Sequence, residues 1–189
     1  MTEDTATATT QNTDMARFPL GTLKQQGDDR FTLTFIRDFP HPIVQVWEAI
    51  TNPAMTIRWW AETRIDLRPG GQFDARWLNS DDGKPRHWTT GIVQRLDPPR
   101  LIEHTNSDHG LLRWELAETS PSSTRLTFTN EFTGEAKWVP MSLAGWHVHL
   151  DHLAEALVGK AVDWPAWYLD FLPAWQSLND TYIEVSHAE

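Results

Sequence analysis

LAGWHVHLDHLAEAL, residues 143–157, is the stretch on which the reading of this chain turns. It is the longest unbroken amphipathic helix pattern in the sequence. Trp146, Leu150, Leu153 and Leu157 recur at helical spacing and mark one face. His149 sits beside that stripe, and Gly145 is expected to give a neighbour room to approach. The region from about Phe31 to Phe132 reads as an antiparallel sheet with an apolar face to cover, and this helix is the element long enough to cover it. A cavity between sheet and helix is therefore the first functional expectation.

Working outward toward the N-terminus, FTLTFIRDF (31–39) alternates, with Phe31, Leu33 and Phe35 on one face. Pro40 and Pro42 stop it. IVQVWEAIT (43–51) is a short helix with Val46, Trp47 and Ile50 inward, Pro42 being suited to its start. Asn52-Pro53 breaks it, and AMTIRWWA (54–61) is a second short helix ending in the Trp59-Trp60 pair. A meander follows. RIDLR (64–68) and QFDARWL (72–78) flank a Pro69-Gly70-Gly71 turn, with Phe73, Ala75 and Trp77 sharing a face. HWTTGIVQRLD (87–97) is one strand with a glycine bend. RLIEHTN (100–106), LLRWELAE (111–118) and TRLTFTNEF (124–132) complete the set. Hairpin-length turns without crossover helices make the class α+β rather than α/β.

Residues 1–17 are Thr-, Ala- and acid-rich without periodicity and are expected to be a disordered leader. The folded domain is expected over residues 18–160. Gly159 is a candidate cap for the long helix. The aromatic stretch from residue 161 to 189 is expected to form a helical tail of one or two helices packed on the domain. Pro165 and Pro173 stand where helices start, and Trp175, Leu178, Tyr182 and Val185 share a face. This tail leaves Trp164 and Trp167 without an obvious partner, which leaves room for a homodimer.

Composition narrows the function classes. The 189 residues carry 16 Lys and Arg against 26 Asp and Glu, a net charge of −10. No dense basic patch is visible, which argues against nucleic acid and against an anionic membrane surface. No cysteine is present, so disulfides, thiolate catalysis and Cys-type zinc sites are excluded. No apolar run reaches the roughly 18–20 residues of a membrane span, and the N-terminus lacks the pattern of a secretory signal. The expected location is cytoplasmic. The unusual count is tryptophan, 11 against two tyrosines. Trp brings a large apolar area and one N–H donor, as a core or a ligand pocket requires.

The order strand, two short helices, long meander, long helix resembles the helix-grip fold of the START-like, or birch-pollen-allergen-like (SRPBCC), superfamily. VWEAITNPAMTIRWW resembles the first-helix-pair signature of the family named for the activator of the heat-shock-protein-90 ATPase. DLRPGGQF resembles its strand–turn–strand motif, LDPPRLIEHTNSDHGLLRWEL its middle strands, and GWHVHLDHLAEAL its last helix. The resemblance covers about Gly21 to Gly159. It implies a curved antiparallel sheet wrapped around a long C-terminal helix, with a hydrophobic cavity between them. It also implies two partner classes, a small hydrophobic molecule or a chaperone of the heat-shock-protein-90 type. At the strand-end position of Asn130 relatives often carry His, and whatever that His does is not supplied here.

Candidate cavity residues are Trp59, Trp60, Phe73, Trp77, His104, Trp114, Phe128, Trp146 and His149. His149 is the polar group nearest the apolar stripe. His149 and His152 are spaced i,i+3, but the pattern is not His-Glu-x-x-His and no third ligand is identifiable. Neither a metal nor a cofactor is expected. His147 and Asp151, at i,i+4, read as a surface pair. No catalytic residue is assigned, since no nucleophile elbow or phosphate-binding glycine loop is present. Three classes stay open in this order: hydrophobic ligand binding, protein interaction with a chaperone, and cyclase- or hydrolase-like catalysis.

Overall fold

Alternation along the strands decides the architecture. In β2 (Arg30–Phe39) every second side chain from Phe31 to Phe39 is buried, and β8 (Gly110–Ser120) and β9 (Ser123–Thr133) repeat the pattern with Leu112, Trp114, Leu116 and with Leu126, Phe128, Asn130. A computed structural model describes residues 18–80, 82 and 84–186. The expected leader lies outside the described residues. β1 (Thr22–Gln26), β6 (Val93–Asp97) and β7 (Leu101–Asn106) complete a six-stranded antiparallel sheet of order β1-β2-β9-β8-β7-β6. β3 (Ala61–Ile65), β4 (Phe73–Trp77) and β5 (Trp88–Thr89) form a second sheet. With α1 (Ile43–Thr51), α2 (Pro53–Thr56) and the long α3 (Val139–Leu157), this is the α+β helix-grip arrangement.

Several elements differ from the sequence reading. The second helix is only Pro53–Thr56, capped by the Asn52 side chain, which accepts from the Ala54 N–H at 3.0 Å. Trp59 and Trp60 fall in a turn, and β3 starts at Ala61. Successive helical residues point about 100° apart. A turn instead lets both indoles enter the core with no exposed surface. The expected strand 87–97 is two strands in two sheets. At the break, a Cβ on Gly91 would stand 1.8 Å from the Thr105 carbonyl oxygen, so the backbones meet there at a distance only glycine permits.

The tail is one helix, α4 (Trp167–Ser186), with Pro173 inside it. Pro173 lies on the solvent face, where water can serve the Leu169 carbonyl left without its donor. α4 packs along α3 and removes the polar face that an amphipathic helix should have. His147, read as part of a surface pair, has 0% exposure; its Nδ1 lies 2.9 Å from the Tyr182 hydroxyl, and its Nε2 is 3.8 Å from Asp151. Trp164 and Trp167 both have partners. Their indole N–H groups donate to the Ile57 carbonyl at 2.6 Å and to His152 Nε2 at 3.2 Å. The premise for a homodimer is thereby removed. Gly159 takes φ +90° just beyond α3, as the capping reading requires. No helix among the described residues is long and apolar enough to cross a membrane.

Candidate functional site

The expected space between sheet and helix is filled with rings. Trp114 and Phe128 lie 4.2 Å apart between centroids, Phe128 and Trp146 4.4 Å, and Trp60 and Trp114 5.5 Å. Such contacts are those of a packed aromatic core. Trp59 also donates its indole N–H to the Ala49 carbonyl at 2.8 Å. His104 is a satisfied core histidine. It stacks on Phe73 at 3.5 Å and 7°, its Nδ1–H meets the Thr105 carbonyl at 3.1 Å, and its Nε2 accepts from Trp114 at 3.3 Å. Burial pushes its pKa down to about 3. Of the nine candidate residues, then, Trp59, Trp60, Phe73, His104, Trp114 and Phe128 form a packed core.

Trp77, Trp146 and His149 border this core and also form the floor of an open cleft of about 500 Å³ at one end of α3. Three walls meet there. Met141, Ser142 and Gly145 come from α3. Trp167, Tyr168, Leu172 and Trp175 come from α4. On the sheet side are Asn79, His109 and the exposed hydrogen-bonded pair of His87 and Asp108 at 2.8 Å, with Arg86 near the mouth. Gly145, expected to admit a neighbouring element, instead opens on this space, with nothing within 4 Å of a Cβ placed there.

Asn130 holds the floor in place. Its Oδ1 accepts the Trp146 indole N–H at 3.0 Å, and its Nδ2 donates to the His109 and Leu111 carbonyls at 2.5 and 3.3 Å. One strand-end side chain thus ties α3 to the β7–β8 turn. The same turn is shaped by Asn106, whose Oδ1 accepts the backbone N–H groups of Asp108 and His109. Gly110 closes it at φ +75°, where a Cβ would stand 2.3 Å from the Glu131 carbonyl oxygen.

Hydrogen bonds fix the state of the two cleft imidazoles. His149 Nδ1 lies 3.1 Å from the Trp59 carbonyl oxygen, which only accepts, so Nδ1 carries the proton. His109 Nδ1 lies 3.2 Å from Asn106 Oδ1. That amide cannot be flipped. Its Nδ2 donates to Thr89 Oγ1 at 2.8 Å, while Thr89 donates to the Ala75 carbonyl at 2.9 Å. Hence His109 also carries its proton on Nδ1. Both Nε2 atoms are lone-pair acceptors and have no hydrogen-bond partner among the described residues. Burial lowers both pKa values, that of His149 to about 4. The Trp77 ring stands between the two, 4.7 Å from His109 and 5.1 Å from His149.

The sequence reading missed His109 and the α4 wall. The signal for His109 was weak: an Asn-Ser-Asp-His-Gly turn shows where the chain reverses but not which side chain turns inward. His152 is not free to ligate through Nε2, which accepts the Trp167 N–H. Among the described residues no group of three or more His, Cys, Asp or Glu is placed to hold a metal ion.

Comparison with known proteins covers much of the chain. Residues 40–158 match the family described as "Activator of Hsp90 ATPase homolog 1-like protein". No curated protein matches the sequence. The crystal structure of CalU16 from Micromonospora echinospora is similar with a TM-score of 0.65 at 20% identity, over 88% of this chain and 97% of that one. A conserved protein of unknown function from Enterococcus faecalis gives 0.67 at 17% identity, over 89% and 92%. The solution structure of an activator-like protein of the same family name from Aeromonas hydrophila gives 0.54 at 22% identity, over 66% and 92%. At these identities the structures support the fold alone.

Proposed function

The chain belongs to the family of activator of Hsp90 ATPase homolog 1-like proteins, and from that premise we propose that it binds a small, largely apolar molecule in the cleft between α3, α4 and the β7–β8 turn. The observation that carries this reading is the cleft itself, about 500 Å³ with Trp77 and Trp146 on its floor and Trp167 on its α4 wall. That size and lining match small-molecule sites, which are concave, mostly apolar and furnished with a few fixed polar groups. Among the candidate residues, Trp77, Trp146 and His149 are the ligand contacts in this proposal, and Trp60, Trp114 and Phe128 support them from behind.

Nile red, whose emission rises on leaving water, tests the proposal. A saturable one-to-one rise is expected for the unaltered protein, and its loss in Gly145→Leu, where the new side chain grows into the cleft from a position with open space. Absence of a saturable signal, or the same signal in both proteins, contradicts it.

The family description supports a second reading, a surface for a chaperone of the heat-shock-protein-90 type. Trp138, 48% exposed, and Met141, 39% exposed, stand at the cleft mouth and supply an apolar rim. Purified chaperone should then bind the protein at low salt and change its ATPase rate. No binding and an unchanged rate contradict that reading.

A further inference from the structure

We infer that the cleft selects a planar aromatic ligand bearing a hydrogen-bond donor, a phenolic hydroxyl or a ring N–H, which His109 and His149 read through their Nε2 lone pairs. This rests on the cleft being the ligand site proposed above.

Few polar atoms near the floor are left without a partner. The Trp146 N–H is held by Asn130 and the Trp167 N–H by His152. The Trp77 N–H reaches no acceptor among the described residues, but its nitrogen is buried beyond a ligand's reach. What remains is the pair of Nε2 atoms, on imidazoles whose Nδ1–H groups are committed to the Trp59 carbonyl and to Asn106. Outer partners of this kind lock both tautomer and ring orientation. Each ring is thereby an acceptor in the neutral state that burial favours. A ligand bringing N–H or O–H satisfies them. A ligand bringing a carboxylate sets its lone pairs against theirs at the buried end of the cleft, where water can do little to relieve the mismatch.

The aromatic preference has a separate basis. Trp77 stands between the two acceptors, with Trp146 beside it on the floor and Trp167 on the α4 wall, so a flat ring system can lie against indole faces while its donor reaches an imidazole. The indole of Trp77 and the two imidazoles come from β4, the β7–β8 turn and α3, three elements that only the folded chain brings together.

Competition against bound Nile red with three naphthalenes of one shape tests the inference on the unaltered protein. 2-Naphthol carries the donor, 2-methoxynaphthalene has the same oxygen without it, and 2-naphthoate carries a charged acceptor. 2-Naphthol is expected to displace the dye at concentrations about tenfold below 2-methoxynaphthalene, the worth of one hydrogen bond to a buried acceptor, with 2-naphthoate weakest. In His109→Phe or His149→Phe the advantage of the naphthol should shrink while the methoxy compound still displaces. Equal displacement by naphthol and methoxynaphthalene overturns the donor reading and leaves the cleft intact as a site. Failure of Nile red itself to bind overturns both.

Discussion

Asn130 is the residue on which the cleft depends most. It is buried at the end of β9, and its amide makes three hydrogen bonds that join α3 to the β7–β8 turn. Asn130→Ala leaves the Trp146 N–H and two carbonyls without these partners, and each unsatisfied buried group costs about 1–3 kcal/mol. The expected loss is about 3 kcal/mol in urea unfolding, together with weaker Nile red binding because Trp146 is no longer held. A loss under about 0.5 kcal/mol would mean that other groups seat Trp146. Gly145 predicts the opposite sign. It lies inside α3 with open space where a Cβ would go. Gly145→Ala should therefore stabilise by about 0.5–1 kcal/mol, read as a higher urea midpoint at unchanged slope; a lower midpoint would contradict the geometry. Residue roles of this kind were only partly legible. The stripe Trp146, Leu150, Leu153, Leu157 announced itself by spacing, and all four are buried. That Asn130 is a clasp and Gly145 an opening depends on neighbours from distant parts of the chain, which no local pattern records.

At the scale of elements, α4 alters the character of α3. A helix expected to be half solvated is enclosed on its outer side, with His147 against Tyr182 and His152 against Trp167. Burial of Leu178 measures that docking. Leu178→Ala should cost about 2–4 kcal/mol, as truncation of a buried leucine does, whereas Leu169→Ala, at a position 79% exposed, should change stability by less than about 0.5 kcal/mol. Equal effects would mean that α4 is not docked on this face. The strands and α1 were legible because alternation and helical period are intrinsic to them. The split of residues 87–97 was not, because the close approach of Gly91 to Thr105 belongs to the pairing and not to the strand's own pattern. The face that α4 presents was half legible: Leu178 and Tyr182 of the expected stripe are buried, but Val185 is exposed.

On the scale of the whole molecule, four buried histidines tie stability to pH. Burial pushes His104 and His152 down to about 3, and His147 and His149 to about 4, with Arg37 adding to the shift of His147. In the unfolded chain each ring protonates near pH 6.5. Above 6.5 both states are neutral and stability is flat with pH. Below it the unfolded state binds more protons, so stability falls as pH drops from 6.5 toward 4. Each ring should cost roughly 1 kcal/mol by pH 5.5. Urea midpoints at pH 7.5 and 5.5 check this; equal midpoints would mean the rings titrate alike in both states. The central claim concerns where apolar matter binds. The fold places most of the eleven tryptophans in a closed aromatic core or an open aromatic cleft, and each carries an indole N–H visible by nuclear magnetic resonance. The most direct measurement follows those eleven signals while 2-naphthol is added. The account predicts saturable shifts at Trp77, Trp146, Trp167 and Trp175, with Trp47, Trp59, Trp88 and Trp114 unmoved. Shifts centred on Trp59 and Trp114, or none at all, would contradict it.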